Sequence, residues 1–293
     1  MSADATFRFA PSPTGLLHLG HAYSALFAWD RACATGGRFL LRIEDIDTTR
    51  VRPDYEAAIY DDLAWLGLAW ERPVLRQSDH GATYRRALDH LTALGLTYLC
   101  FKTRSELARD LLSAPHGPQS AYVGAPLSPD EEAEKLADGA PYAVRLSLSK
   151  AKAFLGAHWT ALGFEERGLG PAGETGWIGA RPERLGDIVL ARKELGLAYH
   201  LCVVVDDARQ GVTEVTRGCD LQDATHIQVL LQALLGLPRP TYRHHGLLMG
   251  EDGKRLAKRN GAPALRDLRL AGAHVSDVRA LMAQRVGVGC SPR

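Results

Sequence analysis

The stretch that most constrains this chain is "TFRFAPSPTGLLHLGHAYSALFAWDRACATGGRFLLRIEDID" near its start. A short apolar strand, "TFRFAP", runs into a Pro/Gly turn. Apolar residues then recur at helical spacing, at Leu19, Ala22, Leu26 and Trp29, until Gly36-Gly37 stops the pattern. "RFLLRI" reads as a second strand that enters the acidic run "EDID". Strand, helix and strand in this order open a parallel, doubly wound sheet, because parallel neighbours need a crossover connection. At 293 residues the chain can bury a large core and form one to three domains.

Two helical stretches follow, around residues 53–66 and 79–94, with Gly67 and Gly95 as stops. Residues 100–185 have a different texture, rich in loops such as "ERGLGPAGETGWIGARPE", and read as an insertion with its own fold. The apolar run in "GDIVLARKELGLAYHLCVVVDD" suits a returning strand buried on both faces. That reading puts Asp206 and Asp207 at a carboxyl edge, where open α/β sheets bind ligands. "GVTEVTRG" alternates like a strand, and "DATHIQVLLQALLGL" reads as a helix whose His226 either is packed or on the surface or approaches a bound ligand. "YRHHGLLMGEDGKRLAKRNGA" reads as a strand leading into a basic loop.

Lysine and arginine total 35 against 34 acidic residues. Net charge therefore does not announce a nucleic-acid binder, although a local basic face can hold phosphates on a neutral protein. The start shows no secretory signal, and "LCVVV" is far too short to span a bilayer. Five scattered cysteines with no CxxC suit a reducing cytoplasm and show no disulfide framework.

His18 and His21 fall where the first helix begins. Free N–H groups and the helix dipole attract phosphate there, and positions i and i+3 share a face. The pair is placed to hydrogen-bond a nucleotide phosphate, although two surface histidines on a capped helix would show the same spacing. Near the other end, Lys254, Arg255, Lys258 and Arg259 form a Gly-bounded cationic loop. A histidine-bearing helix start and a cationic loop at the two ends of one α/β unit suit in-line attack on an α-phosphate, with pyrophosphate leaving.

"RFAPSPTGLLHLGH", "RIEDIDTTR", "AYHLCVVVDDARQGVTEVTRGCDL" and "GKRLAKRNGAP" together resemble the class I glutamyl-tRNA synthetases, and more closely their short paralogues, the glutamyl-Q tRNA(Asp) synthetases. "HLGH" matches the HIGH signature and "RLAKR" the KMSKS loop. The resemblance implies a class I aminoacyl-tRNA synthetase fold, a Rossmann-type parallel sheet split by an α+β insertion and followed by a short helical tail. It divides the chain at 1–99 and 186–259 (catalytic), 100–185 (acceptor-binding-like insertion) and 260–293 (tail). It implies a glutamate pocket at Arg8, Phe9, Ala10, Pro11, Ser12, Glu44, Tyr199 and Arg217. ATP, with Mg²⁺, would meet His18, His21, Arg255 and Lys258, of which His18, His21 and Lys258 act in catalysis. The side-chain chemistry agrees with that pocket: arginines grip carboxylates bidentately, Glu44 can accept an ammonium, and Tyr199 adds a hydroxyl. Taken alone, Glu44 reads equally as a solvated loop acid and either arginine as half of a surface ion pair.

The implied activity is adenylation of L-glutamate, then transfer to queuosine in the anticodon arm of tRNA(Asp), by a cytoplasmic monomer with no membrane partner. Only 34 residues follow Arg259, which leaves no room for the long anticodon-reading region of full-length glutamyl-tRNA synthetases. Rival expectations are a truncated synthetase charging a tRNA 3′ end, a silent tRNA-binding paralogue, or another nucleotidyl transferase of the pantothenate-ligase type. The chain departs from the family pattern in two places. Arg255 and Ala257 replace the usual lysine and serine of the basic loop. Where the short paralogues hold zinc, this chain has Cys100, Lys102, Tyr122 and Pro126, so zinc is expected to be absent and apolar packing at Tyr98, Leu99, Phe101 and Leu107 to hold the insertion.

Overall fold

The computed structural model describes residues 5–112, 121–193, 196–250, 256 and 263–287. The opening folds as its pattern requires: β1 (Thr6–Phe9), α1 (Leu19–Thr35) and β2 (Arg38–Ile43) form a β-α-β unit with the strands parallel. Ala22, Ala25 and Ala28 of α1 are fully buried, and their small side chains let the helix lie close to the sheet. The helix stops at Gly36, whose φ of 64° is the left-handed conformation that glycine adopts without a Cβ clash. α2 (Pro53–Trp65) leads to β3 (Leu75–Arg76), which extends the sheet parallel to β2, and α3 (Gly81–Ala93) follows.

Beyond α3 come β4 (Thr97–Cys100), α4 (Arg104–Leu112), α5 (Pro129–Ala137), β5 (Ala143–Leu146) and α6 (Leu148–Leu155). Then follow β6 (Gly163–Glu166), β7 (Gly176–Gly179), β8 (Val189–Arg192) and β9 (Gly196–Leu197). Strands β4, β5, β8 and β9 make an antiparallel sheet in that order. Its packing centre is Leu96, Leu146 and Leu190, all buried, and of the four side chains expected to hold this region only Tyr98 is buried. Leu99, Phe101 and Leu107 are half-buried. A polar hub adds to this packing. Asp187 accepts from the Tyr98 hydroxyl and from the backbone N–H groups of Gly124 and Leu148, each at 2.9 Å.

β6 and β7 fall inside the expected insertion span but join the other sheet, whose order is β10-β11-β6-β7. There β10 (Glu214–Gly218) and β11 (Thr241–His245) run parallel, and β6 pairs parallel to β11 through Glu166 and Tyr242. Thr213, just before β10, donates its N–H to the Thr6 carbonyl at 3.0 Å, while the Thr6 N–H reaches the Thr213 hydroxyl at 2.9 Å. The three-stranded parallel sheet and this mixed sheet, whose β7 runs antiparallel to β6, therefore abut edge to edge, with β1 beside β10. The tail forms α9 (Leu265–Leu270) and α10 (Val275–Ala283).

One expectation is overturned. "YHLCVVVDDAR" is not a strand but α7 (Tyr199–Arg209), packed with α3 and α8 (Gln222–Leu234). Leu201 through Val205 are all buried, so the run is apolar on every side and lacks the polar face that marks a surface helix. Short apolar runs of this kind do not separate helix from strand by periodicity, and here tertiary packing decides. Among the described residues Cys33, Cys100 and Cys202 form no disulfide.

His226 of α8 is a packing residue. Its ring lies 5.4 Å from that of Phe164, and its Nδ1 accepts the Arg181 N–H at 3.3 Å. Burial pushes its pKa down to about 4, and burial does the same to His200 of α7. The unfolded chain protonates near pH 6.5, so the stability these neutral rings contribute is complete above that pH and is lost as pH falls toward 4. Chemical unfolding followed between pH 7 and 4 should show this decline. In His226→Asn, which keeps an acceptor for Arg181, the slope should flatten by up to about 1.4 kcal/mol per pH unit.

Candidate functional site

β1, α1, α7, β10, β11 and the residue after β2 converge on a cleft of about 250 Å³ at the carboxyl ends of β1, β2 and β10. Arg8, Phe9, Ala10, His18, His21, Glu44, Tyr199 and Arg217 all line it. Pro11 is buried nearby, with its carbonyl accepting the Glu44 N–H at 3.0 Å, and Ser12 faces solvent. Arg255 and Lys258 lie outside the described residues. Leu256, between them, is buried against the cleft, and its N–H bonds to the Leu248 carbonyl at 2.9 Å. Ala264, on the far flank of the basic loop, pairs with His18. Both flanks of the loop thus border the histidine end of the cleft.

His18 is the N-cap of α1. Its Nδ1 accepts the Gly20 N–H at 3.1 Å, and the Nδ1 of His21 accepts the His18 N–H at 3.2 Å. The two rings lie 3.9 Å apart. The i, i+3 spacing is therefore a reciprocal cap as well as a shared face, with imidazoles doing what Ser and Glu do in a capping box. Because each Nδ1 is an acceptor, the proton of the neutral ring sits on Nε2. The pair thereby presents N–H donors at a helix start already favourable to anions.

A buried ionic cluster also borders the cleft, through Arg8 and Glu44. Arg42, on β2 and fully buried, donates to Asp207 at 2.7 Å, to Glu44 at 3.0 Å and to Gln210 at 2.9 Å. Asp207 also binds Arg8, accepting from Nε at 3.0 Å. Burial alone would raise the Asp207 pKa, but Arg8 and Arg42 together hold it below the usual carboxylate range. Glu44 goes the other way: burial outweighs Arg42 and Arg8 and holds its carboxyl above that range. A cationic ligand at Glu44 would offset that cost of burial and favour the carboxylate. Asp206 lies 3.9 Å from the same Arg42 and also accepts from Gln77 and Tyr84, each at 2.9 Å. Adjacent residues on a helix are about 100° apart, so the two aspartates share Arg42 but differ in their other partners. Neither sits at a strand edge.

Arg217 differs from Arg8. Its Nη1 donates to Gln228 at 2.8 Å and its Nη2 to the Thr225 hydroxyl, and the guanidinium lies 5.3 Å from the Tyr242 ring centroid. Among the described residues no carboxylate pairs with it, so its charge is available to a ligand. Sequence reasoning missed Tyr23, Ser24, Asp220 and His245, which also line the cleft. Tyr23 and Ser24 share α1 with the histidine pair, one turn further on, and that spacing was the available signal. His245 ends β11 in "YRHH", which carried no distinctive pattern.

At the positions that the resemblance assigns to zinc stand Cys100, Lys102, Tyr122 and Pro126, and His116 lies outside the described residues. Among the described residues no group of three or more His, Cys, Asp or Glu is arranged to hold a metal. Around Tyr122 the structure gathers cations instead: Lys102 Nζ is 5.9 Å and the Arg145 guanidinium 4.8 Å from its ring. Likewise no helix of the described residues is long and apolar enough to cross a membrane.

Residues 5–274 match the sequence model of the class I tRNA synthetases (E and Q), catalytic domain. A glutamyl-Q tRNA(Asp) synthetase of Rhodobacter capsulatus is 51% identical over 290 residues, covering 94% of this chain and 98% of that protein. Glutamate–tRNA ligase 1 of Ruegeria pomeroyi is 39% identical over 95% of this chain but only 60% of its own length. The crystal structure of a glutamate tRNA ligase from Elizabethkingia meningosepticum, in complex with its amino acid, superposes with a TM-score of 0.69. It is 28% identical, and the match spans 88% of this chain and 52% of that one. Sequence, fold and cleft agree: this chain is a ligase with the Rossmann-type catalytic domain of the class I synthetases (E and Q), and within that class it belongs to the glutamyl-Q tRNA(Asp) synthetase family.

Proposed function

We propose that the enzyme activates L-glutamate with ATP and Mg²⁺ to glutamyl-adenylate and passes the glutamyl group to queuosine at the wobble position of tRNA(Asp). The observation that carries this reading is the division of one cleft into two chemistries. Arg8, Arg217, Glu44 and Tyr199 line the same cleft as His18 and His21, whose Nδ1 atoms accept backbone N–H groups and leave Nε2 to carry the proton. Glutamate's carboxylates suit the arginines and its ammonium suits Glu44. A carboxylate oxygen then attacks the α-phosphorus and the bond to the leaving pyrophosphate breaks. Charge moves onto phosphate oxygens, where His18 and His21 donate, with Lys258 and Arg255 assigned to the leaving pyrophosphate. In the second step a hydroxyl of the queuosine diol attacks the acyl carbon, AMP leaves, and the hydroxyl proton is released.

The coverage of relatives supports queuosine as the acceptor, since the chain matches nearly the whole of the R. capsulatus protein. The 39% identity to a glutamate–tRNA ligase favours a second reading, charging of a tRNA 3′ end. With a cationic environment in place of ligands, the protein is proposed to work without zinc. Elemental analysis of tag-free protein should find well under one zinc per chain, and a stoichiometric value would contradict that assignment.

His21→Ala should lower kcat of glutamate-dependent ATP–pyrophosphate exchange by about 100-fold or more, the usual cost of losing one donor to developing charge. The KM for glutamate should change far less, and wild-type exchange would remove His21 from the chemistry. For the second step, ATP-dependent transfer of labelled glutamate should occur on queuosine-containing tRNA(Asp) and not on tRNA(Glu). It should weaken with rising salt, as phosphate contacts require. Label carried by queuosine-free tRNA, and lost on periodate oxidation of the 3′ end, would establish the second reading instead.

A further inference from the structure

Arg217 is held by a chain of buried groups that begins outside the cleft. Glu166, at the end of β6, is 1% exposed. Its Oε1 accepts the N–H groups of Gly168 at 2.7 Å and His244 at 3.0 Å, and its Oε2 holds Nδ1 of the His244 ring. His244, on β11, is 2% exposed, and its Nε2 lies 3.4 Å from Arg217 Nε and 3.1 Å from the Thr225 hydroxyl. Gly168 seals the corner, since a Cβ there would stand 2.2 Å from the His244 carbonyl oxygen.

The direction of these bonds follows from the donors available. An ionised carboxylate only accepts, so the ring proton sits on Nδ1 and Nε2 keeps a lone pair for the Arg217 Nε–H. Burial favours this neutral ring, holding His244 below the ordinary histidine range against the pull of Glu166. Nη1 and Nη2 are each tied by one bond, to Gln228 and Thr225, leaving one N–H on each terminal nitrogen. Arg8 is fixed differently, by direct pairing with Asp207 at 3.0 Å. A carboxylate set directly on Arg217 would satisfy its charge. A neutral imidazole backed by a carboxylate fixes the same nitrogen and leaves the charge for a ligand.

We propose that Glu166 and His244 are positioning residues for Arg217, a relay that sets its guanidinium for the carboxylate of the amino-acid substrate. The inference rests on Arg217 as a glutamate-binding residue, so both are tested together in the full-length protein. In Glu166→Gln the amide can offer an N–H to Nδ1, which moves the ring proton to Nε2, against Arg217 Nε–H. The KM for glutamate in pyrophosphate exchange should rise at least ten-fold, while the KM for ATP and the thermal midpoint stay near wild type. His244→Asn, which keeps only the Glu166-facing donor, should behave alike. His244→Gln, whose amide oxygen reaches toward the Nε2 position, should recover most of the loss. If Arg217→Ala raises the KM for glutamate but Glu166→Gln and His244→Asn do not, the relay is wrong and the pocket stands. If Arg217→Ala also leaves that KM unchanged, the pocket and the relay both fall. Equal rises in both KM values with a lowered thermal midpoint, and no recovery in His244→Gln, would reduce the pair to structural support and overturn the proposal.

Discussion

The ion cluster centred on Arg42 is the constraint on which the placement of Arg8 and Glu44 in the cleft depends. A fully buried guanidinium is expensive to desolvate and persists only when carboxylates surround it. Arg42 finds them on two elements, Glu44 just past its own strand and Asp207 on α7, with Asp206 3.9 Å away. Asp207 in turn holds Arg8 of β1. One buried charge thereby ties β1, β2 and α7 at the point where their ends meet. Removing a partner from such a pair costs about 3–5 kcal/mol, a large fraction of a domain's stability. The same bonds orient Glu44 and Arg8, so stability and site geometry share one network here.

The histidine pair rests on a smaller device. A helix start has unpaired N–H groups, and most chains satisfy them with Ser, Thr or Asp. Here imidazole Nδ1 atoms take that role, which determines the tautomer of both rings and puts the remaining proton on Nε2. Gly20 makes room for the arrangement, because a Cβ there would stand 3.0 Å from His18 Cε1. The turn that closes the helix is also the turn that aims the donors. The two arginines show a comparable economy, one fixed by a carboxylate and the other through an imidazole.

Much of this was legible in the residues. The opening strand, helix and strand, the Gly36 stop, β10 and α8 all follow from periodicity and turn chemistry. The residues assigned by family pattern to one pocket do line one cleft, with the exceptions of Pro11 and Ser12. What was not legible had definite causes. "LCVVV" is apolar all round because α7 is buried on every side, and a run without a polar face carries no period to read. β6 and β7 sit in a loop-rich stretch, and nothing local says which sheet a four-residue strand will join. His244 and Glu166 lie 78 residues apart and meet only because β6 pairs with β11.

The sequence by itself determined the local units: where helices start and stop, which strands are apolar, and which side chains carry chemistry. These depend on neighbours within a few residues, through backbone sterics, capping and periodicity. Only the tertiary structure decided how charges pair. Arg42 with Asp207, Arg8 with Asp207, and Glu166 with His244 are contacts between residues far apart in the chain. Whether a buried arginine is neutralised or left for a ligand depends on which distant side chain packing places within about 3–4 Å of it, and no local pattern encodes that.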